Sequence, residues 1–444
     1  MVDLMVSEQQ SGMAGKGVPV GFKLTEVGVI PKDWECVPFG NLFKTSIKKK
    51  NVSDHELVSF IGMQDVSEDA QLKNSIQIPF KEVKSGFTYF EKGDVLLAKI
   101  TPCFENGKGC HTAELLTNIG FGSTEFHVLR ESEDSDSRFI YFWTTDKKFR
   151  ASLESEMVGS AGHRRVPLVA VKAFLIPCPK NKQEQSAIAN TLSDIDDFIL
   201  ASEKLIAKKQ AIKIATMQQL LTGKTRLPQF ALRDDGSVKG YKKSELGEIP
   251  EDWSCINLGE LGNCIIGLTY KPEDTSDYGT LVLRSSNIQN NHLAYDDNVF
   301  VSIEPPERTI VKEGDILVCV RNGSRQLIGK CALIDKNAQG SAFGAFMSVF
   351  RTDIYGFIFH QFQSNVIQKQ IAEIMGATIN QITNKDMLGF KIPLPESKEE
   401  QTAISAILSD MDKDIQTLQQ RLDKTRQLKQ GMMQELLTGK TRLV

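Results

Sequence analysis

The strongest constraint on this chain is a 45-residue stretch that is written twice. Residues 183–227 read QEQSAIANTLSDIDDFILASEKLIAKKQAIKIATMQQLLTGKTRL, and residues 399–443, 216 positions later, read EEQTAISAILSDMDKDIQTLQQRLDKTRQLKQGMMQELLTGKTRL. In the later copy, apolar residues fall at Ile404, Leu408, Met411, Ile415, Leu418, Leu422, Leu428, Met432 and Leu436. Spacings of four and three are the seam of a coiled coil. The earlier copy holds Ile188, Leu192, Ile195, Ile199 and Ile206 in the matching places. It weakens at Lys209, Lys213 and Thr216, where Leu205, Ile212 and Met217 offer a displaced stripe. Both copies follow a proline-rich strand end and stop at a glycine, Gly223 and Gly439, followed by Lys and Arg, as helix C-termini prefer. Each rod would be roughly 55 Å long at about 1.5 Å per residue, and helices with so narrow a stripe bury little unless they pair.

The repeat extends upstream. KLTEVGVIPKDWECVPFGNLF at 23–43 matches KKSELGEIPEDWSCINLGELG at 242–262, with Trp34 and Trp253 as expected buried anchors. FIGMQDVS at 60–67 matches VLRSSNIQ at 282–289. EKGDVLLAKI at 91–100 matches KEGDILVCVR at 312–321, each a Gly-Asp turn before a buried strand. Six segments follow: a leader at 1–22, a globular domain at 23–180, a helix at 181–227, a turn-rich linker at 228–241, a second globular domain at 242–395, and a helix at 396–444. The fold class is α/β (α+β): two similar globular domains joined by two long antiparallel coiled-coil helices, with internal pseudo-two-fold symmetry. Charge favours the antiparallel choice. Lys204, Lys208, Lys209 and Lys213 lie late in the first helix, opposite Asp410, Asp412 and Asp414 early in the second, whose own late half carries Arg421, Lys424, Arg426 and Lys429. Such a chain has the symmetry of a dimer that reads two half-sites.

Composition limits the partners. Of 444 residues, 41% are hydrophobic and 25% charged, with net charge −3; nucleic-acid binding must therefore come from local patches on a near-neutral body. There is no apolar run long enough to span a membrane and no secretory pattern at the N-terminus. The eight cysteines form no CxxC pair, which disfavours zinc and disulfide frameworks and fits a reducing cytoplasm.

The ordered set of motifs resembles the specificity subunit of type I restriction–modification enzymes. It consists of IPxDW at 30–34 and 249–253, ITPCFENGKG at 100–109 with GFGSTEFHVLR at 120–130, the IPxP…EQ junctions at 176–185 and 392–401, and the two LLTGKTRL ends. The resemblance covers roughly residues 23–444. It implies that each globular domain is a target-recognition domain reading one part of a split double-stranded DNA site. The helices would set the gap and dock two modification (methyltransferase) subunits, with two restriction (translocase/endonuclease) subunits completing the complex. It further implies no catalysis by this chain, with S-adenosylmethionine, ATP and Mg on the partner subunits. The counterpart of ITPCFENGKG in the second half is VRNGSRQLIGK at 320–330, a divergence that in this family implies two different target sequences.

DNA contact needs cations for phosphates and planar hydrogen-bonding groups for base edges. In the first domain GSAGHRRVP (159–167) offers His163, Arg164 and Arg165. In the second, GATINQITNKD (376–386) offers Asn380 and Gln381 for adenine, with Asn384 and Lys385 near the backbone. Lys99, Asn106 and Lys108, and Arg284, Arg321, Asn322 and Arg325, follow buried strands and can project as fingers, with Ser285 and Ser324 beside them. IKKK at 47–50 is a basic run able to supply phosphate affinity. TGKT at 222–225 and 438–441 lacks the upstream glycine of a phosphate loop and ends a helix instead of opening one. Cys103, Cys110 and His111 lie close together, but three soft groups in one loop are not expected to bind a metal, and no catalytic constellation recurs in both halves. The competing readings are a stand-alone DNA methyltransferase or nuclease, and a coiled-coil assembly protein with no DNA role.

Overall fold

The computed structural model describes residues 18–160, 162–375 and 380–443. The chain divides into two compact units that cut across its linear order. Unit 1 is Met1–Ser202 with Arg421–Val444, and unit 2 is Glu203–Gln420. Two helices of 39 residues, Lys182–Leu220 and Lys398–Leu436, therefore each contribute their two ends to different units.

Unit 1 contains two four-stranded sheets. One is ordered Ile76–Pro79, Leu57–Ile61, Ile119–Gly122, Thr88–Glu91, with the middle pair parallel; the other is ordered Phe43–Lys44, Phe126–Glu131, Val95–Ala98, Gly109–His111, all antiparallel. Unit 2 repeats the antiparallel sheet and keeps the parallel pair of the other, here at the edge of its sheet. Ala342–Phe343 runs parallel to Thr280–Leu283, and Asn263–Ile266, Met347–Arg351, Ile316–Cys319, Cys331–Leu333 form the antiparallel sheet. Val95–Ala98 and Ile316–Cys319 are buried at every position, as the Gly-Asp-turn reading expects of central strands. A bidentate pair braces each antiparallel sheet at the same place: Arg130 with Asp94 and Arg351 with Asp315, all four contacts at 2.7 Å.

In each unit the IPxDW tryptophan lies at the junction of domain and helices. Trp34 and Trp253 are both fully buried. Leu175–Cys178 pairs with Glu35–Pro38, and Lys391–Pro395 with Trp253–Asn257, so the strand before each long helix docks on the strand after its tryptophan. The arriving helix end closes the core: Met433, Leu436 and Leu437 in unit 1, Met217, Leu220 and Leu221 in unit 2.

Within each unit the helix segments run antiparallel, and their charges meet as expected. Lys213 contacts Asp412 and Lys209 contacts Asp414 in unit 2, while Lys429 contacts Asp196 in unit 1, each at 2.5 Å. The Lys213–Asp412 and Lys429–Asp196 pairs are the same pair shifted by 216 residues. The seam departs from its expected course here. Of the displaced stripe, Leu205 and Ile212 are 42% and 45% exposed while Met217 is buried, and Leu428 is 57% exposed. The seam stays in phase instead, and Lys213 and Lys429 occupy it. Each ammonium reaches an aspartate across the seam, and the Lys429 head also lies over the Phe142 ring. Burying a lysine stem while pairing its head preserves the register without an apolar residue.

The 228–241 segment is packed in unit 2. Arg233 bonds Glu251 at 2.6 and 2.8 Å and Lys239 bonds Asp252 at 2.8 Å.

Both long helices end at a glycine in the left-handed region, with φ 71° at Gly223 and at Gly439. A Cβ at Gly439 would sit 2.7 Å from Pro31 Cδ, and one at Gly223 would overlap Pro250. Gly439→Ala is expected to cost unit 1 about 1–3 kcal/mol from backbone strain and the forced shift of Pro31. A urea titration of wild type and variant measures this, and an unchanged midpoint would contradict it.

Candidate nucleic-acid interface

Three segments converge at one end of the central strands of the antiparallel sheet in unit 1. The strand Val95–Ala98 runs into a finger, residues 99–108; the turn at 123–125 precedes its neighbour; and the loop residues 158–160 and 162–166 cross both, residue 161 lying outside the described residues. Backbone bonds fix the junction. Lys99 N–H donates to Glu125 O at 2.9 Å, Val166 N–H to Lys99 O at 2.8 Å, and Thr101 N–H to Arg164 O at 2.9 Å, with bridges Ile100–Arg165 and Val158–Arg165.

The finger is held from behind by Arg150, 8% exposed. Its guanidinium donates to the carbonyls of Phe104 (2.8 Å), Gly107 (3.1 Å) and Thr144 (2.6 Å) and lies over the Phe104 ring. Burial lowers its pKa to about 10, still well above neutrality. One buried cation thus satisfies loop carbonyls that would otherwise be orphaned.

Side chains expected to reach DNA are brought together here, in different states. His163 and Arg165 are exposed at the loop tip. Arg165 is bound through Nε and one terminal nitrogen to Glu125, at 2.9 and 2.7 Å. The hydrogen bond from Arg165 holds the Glu125 carboxyl below its ordinary pKa. Arg164 is half-buried and reaches Glu105 at 3.4 Å. Lys108 Nζ donates to Met63 O at 2.9 Å, and Asn106 to Glu68 at 3.1 Å, so the finger's polar side chains tie it to the 63–68 turn. Lys99 is half-buried beside the loop.

Unit 2 builds the same junction with other side chains. Val320 and Arg321 N–H both donate to Phe346 O at 3.1 Å, Ile382 N–H donates to Val320 O at 2.9 Å, and Arg321 bridges Gln381. Lys99, Ile100, Glu125, Arg165 and Val166 thus correspond to Val320, Arg321, Phe346, Gln381 and Ile382. Arg321 lies over the exposed Phe346 ring, 5.2 Å from its centroid. Asn322 donates to Ser285 Oγ at 3.1 Å, and Asn380 is exposed with its amide 3.4 Å from Gly323 O. Arg325 is exposed and begins the short turn Arg325–Leu327. Arg284 is paired with Asp297 at 2.9 Å. Asn384 accepts from Ser348 at 3.0 Å and opens the helix Asn384–Leu388, which leaves Lys385 exposed. Residues 376–379 of the second expected loop lie outside the described residues.

Sequence reasoning missed Glu125 and Phe346. Their signal was the shared Phe-Gly of GFGSTEFHVLR and AFGAFMSVFR, after which the two halves differ in length by one residue. The basic run at 47–50 lines a cavity of about 530 Å³ with Lys44, Glu91 and Arg130. Burial pushes the Glu91 carboxyl up, but bonds from Lys50, Tyr89 and Arg130 outweigh it and hold the pKa at about 2. His111, expected to bind no metal, bonds Ser137 at 3.0 Å. Among the described residues no helix is long and apolar enough to cross a membrane.

Comparison with known proteins places this geometry. The family model described as the type I restriction modification DNA specificity domain matches twice, at residues 31–213 and 250–426. The specificity subunit of the EcoAI type I restriction enzyme of Escherichia coli is 26% identical over 384 residues, 69% of this chain and 65% of that protein. The MjaVIII specificity subunit of Methanocaldococcus jannaschii is 26% identical over 427 residues, covering 93% of this chain and 94% of that one. In fold, the chain is similar to the crystal structure of the type I restriction–modification S subunit from M. genitalium, with TM-score 0.57 and 18% identity over 94% of this chain and 98% of that one. With the family domain matched over most of its length, once in each half, the chain belongs to the type I restriction–modification specificity-subunit family, whose function is sequence-specific DNA recognition.

Proposed function

We propose that the chain is the non-catalytic reader of a type I restriction–modification complex, its two domains each reading one part of a split double-stranded DNA site. The observation that carries this reading is the repeated junction. One backbone frame occurs in both units, with Glu125, Arg165 and Ile100 replaced by Phe346, Gln381 and Arg321. A shared frame with exchanged side chains is what two readers of different sequences need. His163, Arg164, Arg165, Lys99, Asn106 and Lys108 would serve the first half-site. Arg284, Arg321, Asn322, Arg325, Asn380, Gln381, Asn384 and Lys385 would serve the second. The long helices set the gap and dock two modification subunits, and two restriction subunits complete the assembly in the cytoplasm. S-adenosylmethionine, ATP and Mg belong to those partners.

Removing one heptad from each long helix shortens the pair by about 10 Å, close to three base pairs at about 3.4 Å per step. The preferred gap is expected to shrink by about that much, measured by binding to duplexes that differ only in spacer length. An unchanged gap would remove the helices from the role of ruler. Methyl transfer from labelled S-adenosylmethionine by the isolated chain would overturn the non-catalytic reading.

A further inference from the structure

We propose that Glu125 and Phe346, which hold the same place in the two units, are positioning residues that aim the reading arginine of each domain at one base pair. The inference rests on the DNA-reading function above. Both residues accept the backbone N–H of the finger strand, from Lys99 in unit 1 and from Val320 and Arg321 in unit 2. Both side chains lie against an arginine, but the arginine comes from a different segment in each unit. In unit 1 it is Arg165 of the crossing loop, and the finger position carries Ile100. In unit 2 it is Arg321 of the finger, and the loop position carries Gln381. The residue beneath therefore goes with where the guanidinium originates.

The two contacts leave complementary parts of the guanidinium free. Glu125 engages Nε and one terminal nitrogen of Arg165. The second terminal nitrogen donates one hydrogen to the His163 carbonyl at 3.4 Å; its other hydrogen and the outer hydrogen of the first remain for the paired acceptors of a guanine edge. The Arg321 guanidinium lies over the Phe346 ring, 5.2 Å from its centroid, a cation–π contact that needs no acceptor atom. A free arginine loses much rotamer freedom on docking; one already held by a carboxylate or a ring loses less and arrives in one orientation. Phe346 is 57% exposed and Arg165 retains 46% of its side-chain surface, so both platforms stand open to a ligand.

The test is selection from a randomised duplex library by the full chain with its modification subunit, using wild type, Arg165→Ala, Glu125→Gln and the double variant. Arg165→Ala is expected to relax discrimination at one base pair of one half-site by roughly ten- to a hundredfold. Glu125→Gln, nearly isosteric, is expected to relax the same base pair by roughly three- to tenfold, to add nothing in the double variant, and to leave thermal stability unchanged. Phe346→Leu should relax the base pair that Arg321→Ala relaxes, in the other half-site. Multiplying effects, effects on different base pairs, or a uniform loss over all sequences would overturn the positioning role while leaving the reading function intact. A wild type that enriches no sequence would overturn the reading function itself.

Discussion

Replacing Arg226 by alanine is expected to lower the stability of unit 2 by about 3–5 kcal/mol. The side chain comes from the TGKTR end of the first long helix and reaches the partners that the sequence repeats. Its Nε and one terminal nitrogen donate to Glu400 at 2.6 and 2.7 Å, and both terminal nitrogens donate to Asp252 at 2.7 and 3.1 Å. The guanidinium also lies over the Trp253 ring, whose indole N–H donates to Glu400 at 3.2 Å. Arg226 side chain and Glu400 side chain are 7% and 2% exposed, so the alanine variant strands a buried carboxylate, and that stranded charge carries most of the cost. Arg226→Lys should recover little, because a point charge cannot serve both carboxylates in a plane. The same clasp closes unit 1 as Arg442 with Glu184 and Asp33 over Trp34. Arg442 is 32% exposed, so Arg442→Ala should cost less. Urea titrations of the three variants measure the order. An Arg226→Ala midpoint equal to wild type would show that the clasp stabilises nothing.

Acid is expected to weaken unit 2 through His360 well before its carboxylates protonate. This ring is fully buried, its Nε2 3.1 Å from Ser409 Oγ and its Nδ1 3.9 Å from Asp412. Burial, and then the Lys213 ammonium, lower its pKa to about 4 against the pull of Asp412. In the unfolded chain an imidazole titrates near 6.5. Between those values the unfolded state binds more protons than the folded one, so stability is present above about pH 6.5 and falls as pH drops towards 4. The loss approaches about 3 kcal/mol for this one group. His111 in unit 1 is lowered to about 4 by burial first and Arg138 second, and burial also lowers His127, so the full chain should show further losses of the same sign and His360→Gln should remove one. Unfolding free energies measured from pH 7 to 4 decide this. A His360→Gln variant as acid-sensitive as the parent would contradict it.

The repeated helix, the buried tryptophans and the central strands were legible because each depends on local periodicity or on a motif written twice. What escaped the sequence depends on pairs far apart in the chain. Lys213 read as a break in an apolar seam and Lys429 as a surface charge, yet both belong to the seam because Asp412 and Asp196 stand opposite. Leu428 read as core only because Lys429 was not credited with that place. The Lys and Arg after each terminal glycine read as helix-end charges, although Arg226 and Arg442 are the clasps of the IPxDW turns. Among candidate contacts, residue type pointed to loops that the fold brings to the two junctions, but Lys108, Asn106 and Arg284 are engaged within the protein. Glu125 went unnoticed because an acidic residue is not sought on a surface meant for phosphates.

The most direct test of the account is a map of methylated adenines across the host genome with and without this gene. The account expects one motif to lose methylation on deletion, made of two unlike parts separated by a constant gap. Complementation with the Arg165→Ala chain should restore methylation with one part relaxed at a single base pair. A methylation map identical in both strains, or a lost motif that is continuous and undivided, would contradict the claim that this chain carries two readers of one split site.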